Sequence, residues 1–308
     1  MQWTSRIVIA ASAMFMTAAT ATAEEQRIGT ASLGGAFYPI GQGISNLVNT
    51  YAEGDITMVP VVTGGSVQNP RLVEAGEVEI AITNNNLAKL AVAGAGPYSA
   101  GALDIKAVAA LHPSVLHMIT LDGSDIETFE DLEGKRVAVG PAGGGTLGFL
   151  NFLLPIHDMS VDDITPSFLS YADGFSQLTD GNVDAALALS GYPAGAVMQA
   201  GAGAKLKFIG FSEGKLEEAL AQNSAYNSVT IPADVYGTGG DGTVIGVNNM
   251  LIAPTSADPD IIEAIVRAVF NNLDEFKAEN ANARQIDPEA SKLLSIPLHD
   301  GAARYFGE

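Results

Sequence analysis

The sequence contains no cysteine, which excludes disulfide bonds, thiolate zinc sites and cysteine nucleophiles. Basic residues are also scarce, because 15 lysines and arginines stand against 35 aspartates and glutamates, for a formal charge of −20. Proteins that bind nucleic acid present basic faces to the phosphates, so this balance argues against a nucleic-acid partner. Apolar residues, in contrast, make up 47% of 308 positions, which is enough for a packed core and suits two domains.

Residues 1–23 have the pattern of a secretory signal peptide. A short basic start is followed by an uncharged run that ends in Ala21, Thr22 and Ala23, a small-residue cleavage motif. This pattern predicts cleavage near Ala23, export across the inner membrane and a periplasmic mature protein. The alternative is an uncleaved membrane anchor, which the shortness of the apolar run disfavours.

Short apolar runs typical of strands alternate with helical segments along the mature chain. Residues 27–32 and 56–62, for example, are predicted strands, and each ends in a turn that contains two glycines. This alternation of strand, turn and helix predicts an α/β fold with a parallel sheet.

Two extended stretches, 105–121 and 244–253, are long enough to cross between two lobes. We therefore expect lobe one to comprise residues 24–112 and 246–308, and lobe two to comprise residues 113–245. The alternative is two sequential lobes with one linker, but no proline- or serine-rich linker is visible in the sequence.

Small polar residues are concentrated in the turns that follow the predicted strands. In an open α/β sheet, ligands bind at the carboxyl ends of the strands, where the N–H groups of helix starts favour an anion. The candidate ligand-binding residues are Gly35, Tyr38, Ser66, Asn69, Asn84, Asn85, Gly144, Gly145, Thr146, Ser170, Asp173, Ser190 and Tyr192. Each also has a structural explanation as a turn former, a helix N-cap or a packing aromatic, and these alternatives stay open.

The glycine-rich run 140–146 invites comparison with a nucleotide-binding P-loop. Thr146 stands where the phosphate-binding lysine is required, so nucleotide hydrolysis is not expected. A backbone nest for a carboxylate remains possible, because N–H donors need no lysine. Of the mature arginines only Arg71 lies near a candidate turn, so neutral donors and helix termini would hold such a ligand.

No set of catalytic residues is recognisable in the sequence. None of the four histidines has the spacing of a metal-binding pair, and there is no Gly-x-Ser-x-Gly elbow. Asp173 is the one acid in a candidate turn, where it can cap its helix, accept from a ligand ammonium group or act as a base. We therefore expect no enzymatic activity, no metal and no cofactor.

Four segments, taken in order, resemble the TAXI-type solute receptors of TRAP transporters. Residues 34–41 match the family's G-G-x-[YF]-Y-P-x-G opening, and residues 62–69 and 131–140 are similar to two further family segments. Residues 296–306 are similar to its I-P-L-H-x-G-A-x-R-Y-Y tail. Residues 83–86 depart from the family pattern within the expected pocket, so the exact ligand cannot be carried over.

The resemblance implies a type II periplasmic-binding-protein fold, in which two α/β lobes close by a hinge around a ligand. It also implies delivery of that ligand to TRAP transporter membrane subunits for uptake driven by an ion gradient. The ligands it suggests are glutamate, 2-oxoglutarate and related carboxylates, so we expect a monomeric receptor for a small organic anion or amino acid. The alternatives are a periplasmic sensor with a membrane signalling partner, and an enzyme on the same fold.

Overall fold

The computed structural model describes residues 24–307, and the predicted signal peptide, residues 1–23, lies outside them. The described residues form ten strands and ten α-helices. The strands are β1 (Glu24–Gly29), β2 (Ile56–Val61), β3 (Ile80–Asn84), β4 (Ile105–Leu121), β5 (Arg136–Ala138), β6 (Thr165–Ser167), β7 (Ala185–Ser190), β8 (Leu206–Phe208), β9 (Tyr226–Ile231) and β10 (Gly242–Pro254). The helices are α1 (Phe37–Tyr51), α2 (Asn69–Glu74), α3 (Asn85–Ala93), α4 (Gly145–Ile156), α5 (Tyr171–Thr179), α6 (Gly195–Gly203), α7 (Lys215–Gln222), α8 (Pro259–Phe270), α9 (Leu273–Glu279) and α10 (Asp300–Phe306).

All of these strands join one sheet in the order β2-β1-β3-β10-β4-β7-β5-β6, with β8 paired to β4 and β9 paired to β10. The first three-stranded group, β1 to β3, is parallel, and so is the second three-stranded group, β5 to β7. Between them, β4 and β10 pair antiparallel with each other and with the inner strand of each group. The α/β prediction is therefore confirmed, but the parallel prediction is wrong for the centre of the sheet.

The two long central strands change partners along their length. β4 pairs with β10 from Ile105 to Val115 and with β7 from Val115 onward. β10 pairs with β9 as far as Val247 and with β3 from Asn249 onward. Both strands thus run from one three-stranded group to the other. The division into lobes at residues 112 and 245 stays a prediction.

The apolar residues of α1 form one side of the hydrophobic core. Ile40, Ile44, Leu47 and Val48 recur at helical spacing and are buried, as that spacing predicts, whereas Tyr51, predicted on the same face, is exposed. The four buried residues belong to an apolar cluster that includes the first three-stranded group and α8. Other buried residues pack around the second three-stranded group, so each group has apolar packing of its own.

The last long helix is divided where its sequence pattern predicts one continuous element. Asp258 caps its start, as predicted, by accepting a hydrogen bond from the amide of Asp260 at 2.8 Å. The buried stripe predicted to extend to Phe276 is confirmed, since Leu273 and Phe276 are buried in the same cluster as the α8 residues. The helix itself is interrupted, because α8 ends at Phe270 and α9 begins at Leu273. Two asparagines, which have low helix propensity, separate the two helices.

None of the helices within residues 24–307 has the length and apolar character that a membrane crossing requires.

Candidate functional site

A small cavity, with about 10 Å³ of free space, lies where turns from the two three-stranded groups meet. The first group contributes the turns after β1 and β2, and the second contributes the turn between β5 and α4 together with the start of α5 and the end of β7. Its walls are formed by Ala31, Ser32, Gly35, Ala36, Phe37, Gly64, Gly65, Ser66, Pro141, Gly144, Gly145, Tyr171 and Leu189.

Two helix starts from opposite groups face this cavity. Phe37 opens α1 and Gly145 opens α4, and neither helix has a side-chain hydrogen bond at its N-cap. The first N–H groups of a helix have no partner within it, and the helix dipole adds a partial positive charge there. The two starts therefore offer amide donors to a negatively charged or carbonyl-bearing ligand.

Gly145 lets the backbone of α4 approach the first group closely. A Cβ atom at this position would lie 2.6 Å from Asn84 Oδ1 and 2.6 Å from Leu189 Cδ2. A side chain at this position would force the ends of the Asn84 and Leu189 side chains to shift. Glycine at the first helical position thus lets the α4 amides reach the cavity without displacing these two side chains.

Three hydroxyl groups accompany these amides. Ser32 is buried, and its Oγ has no hydrogen-bond partner within the described residues. Ser66 is also buried, and its carbonyl accepts from Thr83 Oγ1 at 2.7 Å, which fixes the turn. The Tyr171 hydroxyl lies 2.7 Å from Thr146 Oγ1. Burial raises the pKa of Tyr171, so its phenol stays neutral.

The walls of the cavity carry no formal charge. None of the wall residues, all within the described part of the chain, is an aspartate, glutamate, lysine, arginine or histidine. The same described range contains no group of three histidine, aspartate or glutamate side chains placed to hold a metal ion. The chemistry of the site is therefore that of amide and hydroxyl donors in a small enclosed space.

Residues 28–308 match the NMT1-like family. The chain belongs to this family.

Solved structures give the fold of this NMT1-like protein. It is similar to the alkanesulfonate-binding protein SsuA from Xanthomonas axonopodis pv. citri bound to MOPS, with 17% identity over 93% of this chain and 84% of that one (TM-score 0.52). A protein from Bordetella bronchiseptica RB50 shares 16% identity over 92% and 82% of the chains (TM-score 0.56). The effector-binding domain of QuiR in complex with shikimate shares 10% over 81% and 97% (TM-score 0.50). These likenesses confirm the periplasmic-binding-protein fold, whereas the finer assignment to TAXI-type receptors stays a prediction.

Six of the predicted site residues lie at the cavity or directly behind its wall. Gly35, Ser66, Gly144 and Gly145 form part of the wall. The hydroxyls of the other two support it from behind. Thr146 Oγ1 lies 2.7 Å from the Tyr171 hydroxyl, and Ser190 Oγ accepts from the amide of Ala36 at 2.9 Å.

Two predicted asparagines tie strand ends together outside the wall. Asn69 Nδ2 donates to the carbonyl oxygens of Thr30 at 2.7 Å and Ile82 at 2.6 Å. Asn84 Nδ2 donates to Asn249 Oδ1 at 2.7 Å. Both are fully buried, so their hydrogen bonds fix the turns from which the wall is built.

Ser170 and Asp173 form a helix cap. Ser170 Oγ accepts from the amide of Asp173 at 3.1 Å and donates to its carboxylate at 2.6 Å. Asp173 is exposed and lies outside the wall, so of its three predicted roles the structure displays capping.

The remaining predicted residues lie away from the wall. Asn85 Oδ1 accepts from the amide of Ser295 at 3.0 Å, and the Tyr192 carbonyl accepts from Gln285 Nε2 at 2.8 Å. Tyr38 is half-buried in the first turn of α1. These three side chains are not among those that form the cavity.

Several wall residues escaped the prediction. Ser32 was predicted as the last residue of the first strand, but β1 ends at Gly29 and Ser32 lies in the turn after it. Tyr171 stands between two residues that were predicted. Gly64, Gly65 and Phe37 also lie in the predicted turns. The turn signal therefore located segments that line the cavity. Which side chain of a turn faces inward depends on the angle at which the turn leaves the sheet, and local sequence does not encode that angle.

Proposed function

We propose that this NMT1-like protein is an extracytoplasmic solute receptor that closes two lobes around a small organic anion. The observation that carries the proposal is the convergence of the α1 and α4 starts on one cavity. The Ser32 hydroxyl in the same cavity, which has no hydrogen-bond partner among residues 24–307, supports it, because a buried hydroxyl without a partner is costly unless a ligand satisfies it.

Contacts across the cavity mouth support a closed arrangement. The amide of Val67 donates to the Gly143 carbonyl at 3.1 Å. In the other direction, the amides of Ala172 and Ala196 donate to the carbonyls of Leu33 at 3.2 Å and Gly34 at 2.9 Å. A ligand that touches the second lobe only when these contacts form shifts the population towards closure.

The proposed transporter partner and the proposed cellular location of the protein rest on its sequence. The ordered family segments favour a carboxylate as ligand and TRAP transporter membrane subunits as the recipient. The predicted signal peptide favours the periplasm, and we propose a monomer that divides into lobes at residues 112 and 245. The site would comprise the wall residues together with Thr146 and Ser190 behind them.

Thermal-shift screening of the ligand-stripped mature protein tests this function. The panel contains carboxylates, sulfonates and amino acids. A true ligand at 100 times its dissociation constant should stabilise the protein by about 2.7 kcal/mol. Small-angle scattering should also show a smaller radius of gyration with that ligand. A complete panel without any stabilising compound would contradict the proposal.

A further inference from the structure

We propose that the cavity selects a small ligand with a single anionic group and no ammonium group. Short 2-oxo acids, 2-hydroxy acids and small sulfonates share this chemistry, whereas the corresponding amino acids carry an additional positive charge. The inference rests on the proposed function and narrows its ligand class.

The size of the cavity limits the ligand first. This cavity leaves about 10 Å³ of free space, and that is roughly what one water molecule needs. The opposing glycines already lie close together, since a Cβ on Gly64 would lie 3.2 Å from Gly143 Cα. A ligand therefore binds only if the turns move apart, and a small molecule requires the least movement.

The wall supplies donors for one anionic group. Helices α1 and α4, with 15 and 12 residues, present their uncapped starts from opposite sides. Ser32 adds a buried hydroxyl that has no partner within residues 24–307. Such donors stabilise negative charge without a cation. A second carboxylate would find no lysine or arginine in the wall to neutralise it.

An ammonium group, in contrast, needs acceptors, and three carbonyls of the wall already accept hydrogen bonds within the fold. The Pro141 carbonyl accepts from the amide of Gly144 at 2.9 Å, and the Gly65 carbonyl accepts from the amide of Asn69 at 2.9 Å. The Ser66 carbonyl accepts from Thr83 Oγ1. An ammonium group at these carbonyls would lose its hydration and compete with the hydrogen bonds that they already accept.

Asp173, the predicted site residue that could pair with a ligand ammonium group, does not contact the cavity. Asp173 is the only acidic residue among the predicted site residues, yet it is exposed and its carboxylate accepts from Ser170 Oγ at 2.6 Å. It does not form part of the wall. The site therefore lacks the carboxylate that would compensate the positive charge of an amino acid.

Isothermal titration calorimetry with matched pairs tests the inference on the ligand-stripped mature protein at pH 7. The pairs are pyruvate and alanine, 2-oxoglutarate and glutamate, and ethanesulfonate and taurine. In any pair that binds, we expect the dissociation constant of the ammonium-free member to be at least about 100-fold lower than that of its partner. The reason is that burying an unpaired ammonium charge is costly. Comparison among the pairs distinguishes a carboxylate from a sulfonate.

The outcomes separate this inference from the proposed function. An amino acid that binds as tightly as its ammonium-free partner would overturn the inference and leave the receptor function standing. A panel in which no member of any pair binds would overturn both. Tighter binding of 2-oxoglutarate than of pyruvate would overturn the restriction to a single anionic group.

A charge-introducing variant gives an independent check. Ser66→Asp places a carboxylate in the wall and should reduce the preference for the ammonium-free member at least about tenfold. Ser99→Asp adds the same charge at an exposed site outside the wall and should leave the preference unchanged. Equal preferences in Ser66→Asp and Ser99→Asp would contradict the inference. Should Ser66→Asp fail to fold, the matched pairs on the natural protein decide.

Discussion

At the scale of single residues, Ser32 is the most informative wall position. Its buried hydroxyl has no partner in the described part of the chain, so Ser32→Ala should leave the stability of the empty protein unchanged or slightly higher. The same change should weaken ligand binding by about 1.5–3 kcal/mol, because a hydrogen bond to a charged ligand is lost. Calorimetric titration and thermal unfolding measure the two effects separately.

Ser45→Ala is the matched control for Ser32. Ser45 is equally buried, but its Oγ donates to the carbonyl of Gly41 inside α1 and lies outside the cavity wall. The control should keep full affinity. Equal affinities in Ser32→Ala and the natural protein would remove Ser32 from the site.

Thr146 is expected to act through Tyr171. Its hydroxyl lies 2.7 Å from the Tyr171 hydroxyl and accepts from the amide of Leu189 at 3.2 Å. Thr146→Val should therefore lower both the free energy of unfolding and the ligand affinity by about 1–3 kcal/mol. Thr146→Ser keeps the hydroxyl and should restore most of both. A loss of affinity with unchanged stability would instead mean that the hydroxyl meets the ligand directly.

The sequence located the turns better than it located the roles of their residues. Asn69 and Ser170 fit equally well as ligand contacts and as structural residues, and the structure gives them hydrogen bonds within the fold. The ambiguity is physical, because the amide or hydroxyl that satisfies a buried strand end is the same group that would satisfy a ligand.

At the scale of elements, the Leu33–Gly34 segment closes the cavity mouth. Its two carbonyls accept from amides at the starts of α5 and α6. Gly34 has a φ of +93°, and a Cβ there would lie 2.7 Å from the amide nitrogen of Ala172. Gly34→Ala should therefore obstruct closure and weaken ligand binding at least about tenfold, although residue 34 is not a wall residue.

Gly76→Ala controls for backbone strain in that experiment. Gly76 has a comparable φ of +68°, but nothing lies within 4 Å of a Cβ at its position. Both variants should lose similar thermal stability, while only Gly34→Ala should fail to compact with ligand in small-angle scattering. Normal compaction of Gly34→Ala would contradict the role given to this segment.

Individual elements were predictable where their periodicity was strong. The apolar spacing of α1 and the Asp258 cap of α8 both appear in the structure. The antiparallel centre of the sheet was not predictable, because strand direction depends on how β4 and β10 meet across more than 120 residues of sequence. Local sequence patterns do not predict which distant strands pair or in which direction.

At the scale of the whole molecule, buried histidines set the response to acid. Burial lowers the pKa of His112 to about 3 and that of His117 to about 4. In the unfolded chain both take up a proton near pH 6.5, so the folded state becomes less stable as the pH falls below that value. We expect the free energy of unfolding to fall by about 1.4 kcal/mol per pH unit for each histidine between pH 6 and about pH 4.

Urea unfolding at pH 7, 6, 5 and 4.5 measures this dependence. Glu130 adds to it only at lower pH. Its burial opposes ionisation, but hydrogen bonds with Ser212 and His157 prevail and lower its pKa to about 2. A stability that stays constant from pH 7 to pH 4.5 would contradict the neutral burial of His112 and His117.

The sequence predicted two long extended stretches, and the structure has long strands at both places. The division into lobes that these stretches suggest stays a prediction. What the sequence could not supply is the angle between the two three-stranded groups. That angle decides which turns meet, and so it determines that Gly145 and Ser66 share a wall whereas Tyr38 and Tyr192 do not.

A crystal structure of the mature protein with its tightest ligand would show directly whether this cavity is the binding site. We expect the anionic group to lie within about 3 Å of amide nitrogens at the starts of both α1 and α4, with the Ser32 hydroxyl as a further donor. We also expect no lysine or arginine nitrogen within about 4 Å of that group. A ligand bound outside this cavity, or an anionic group paired with an arginine, would contradict these expectations.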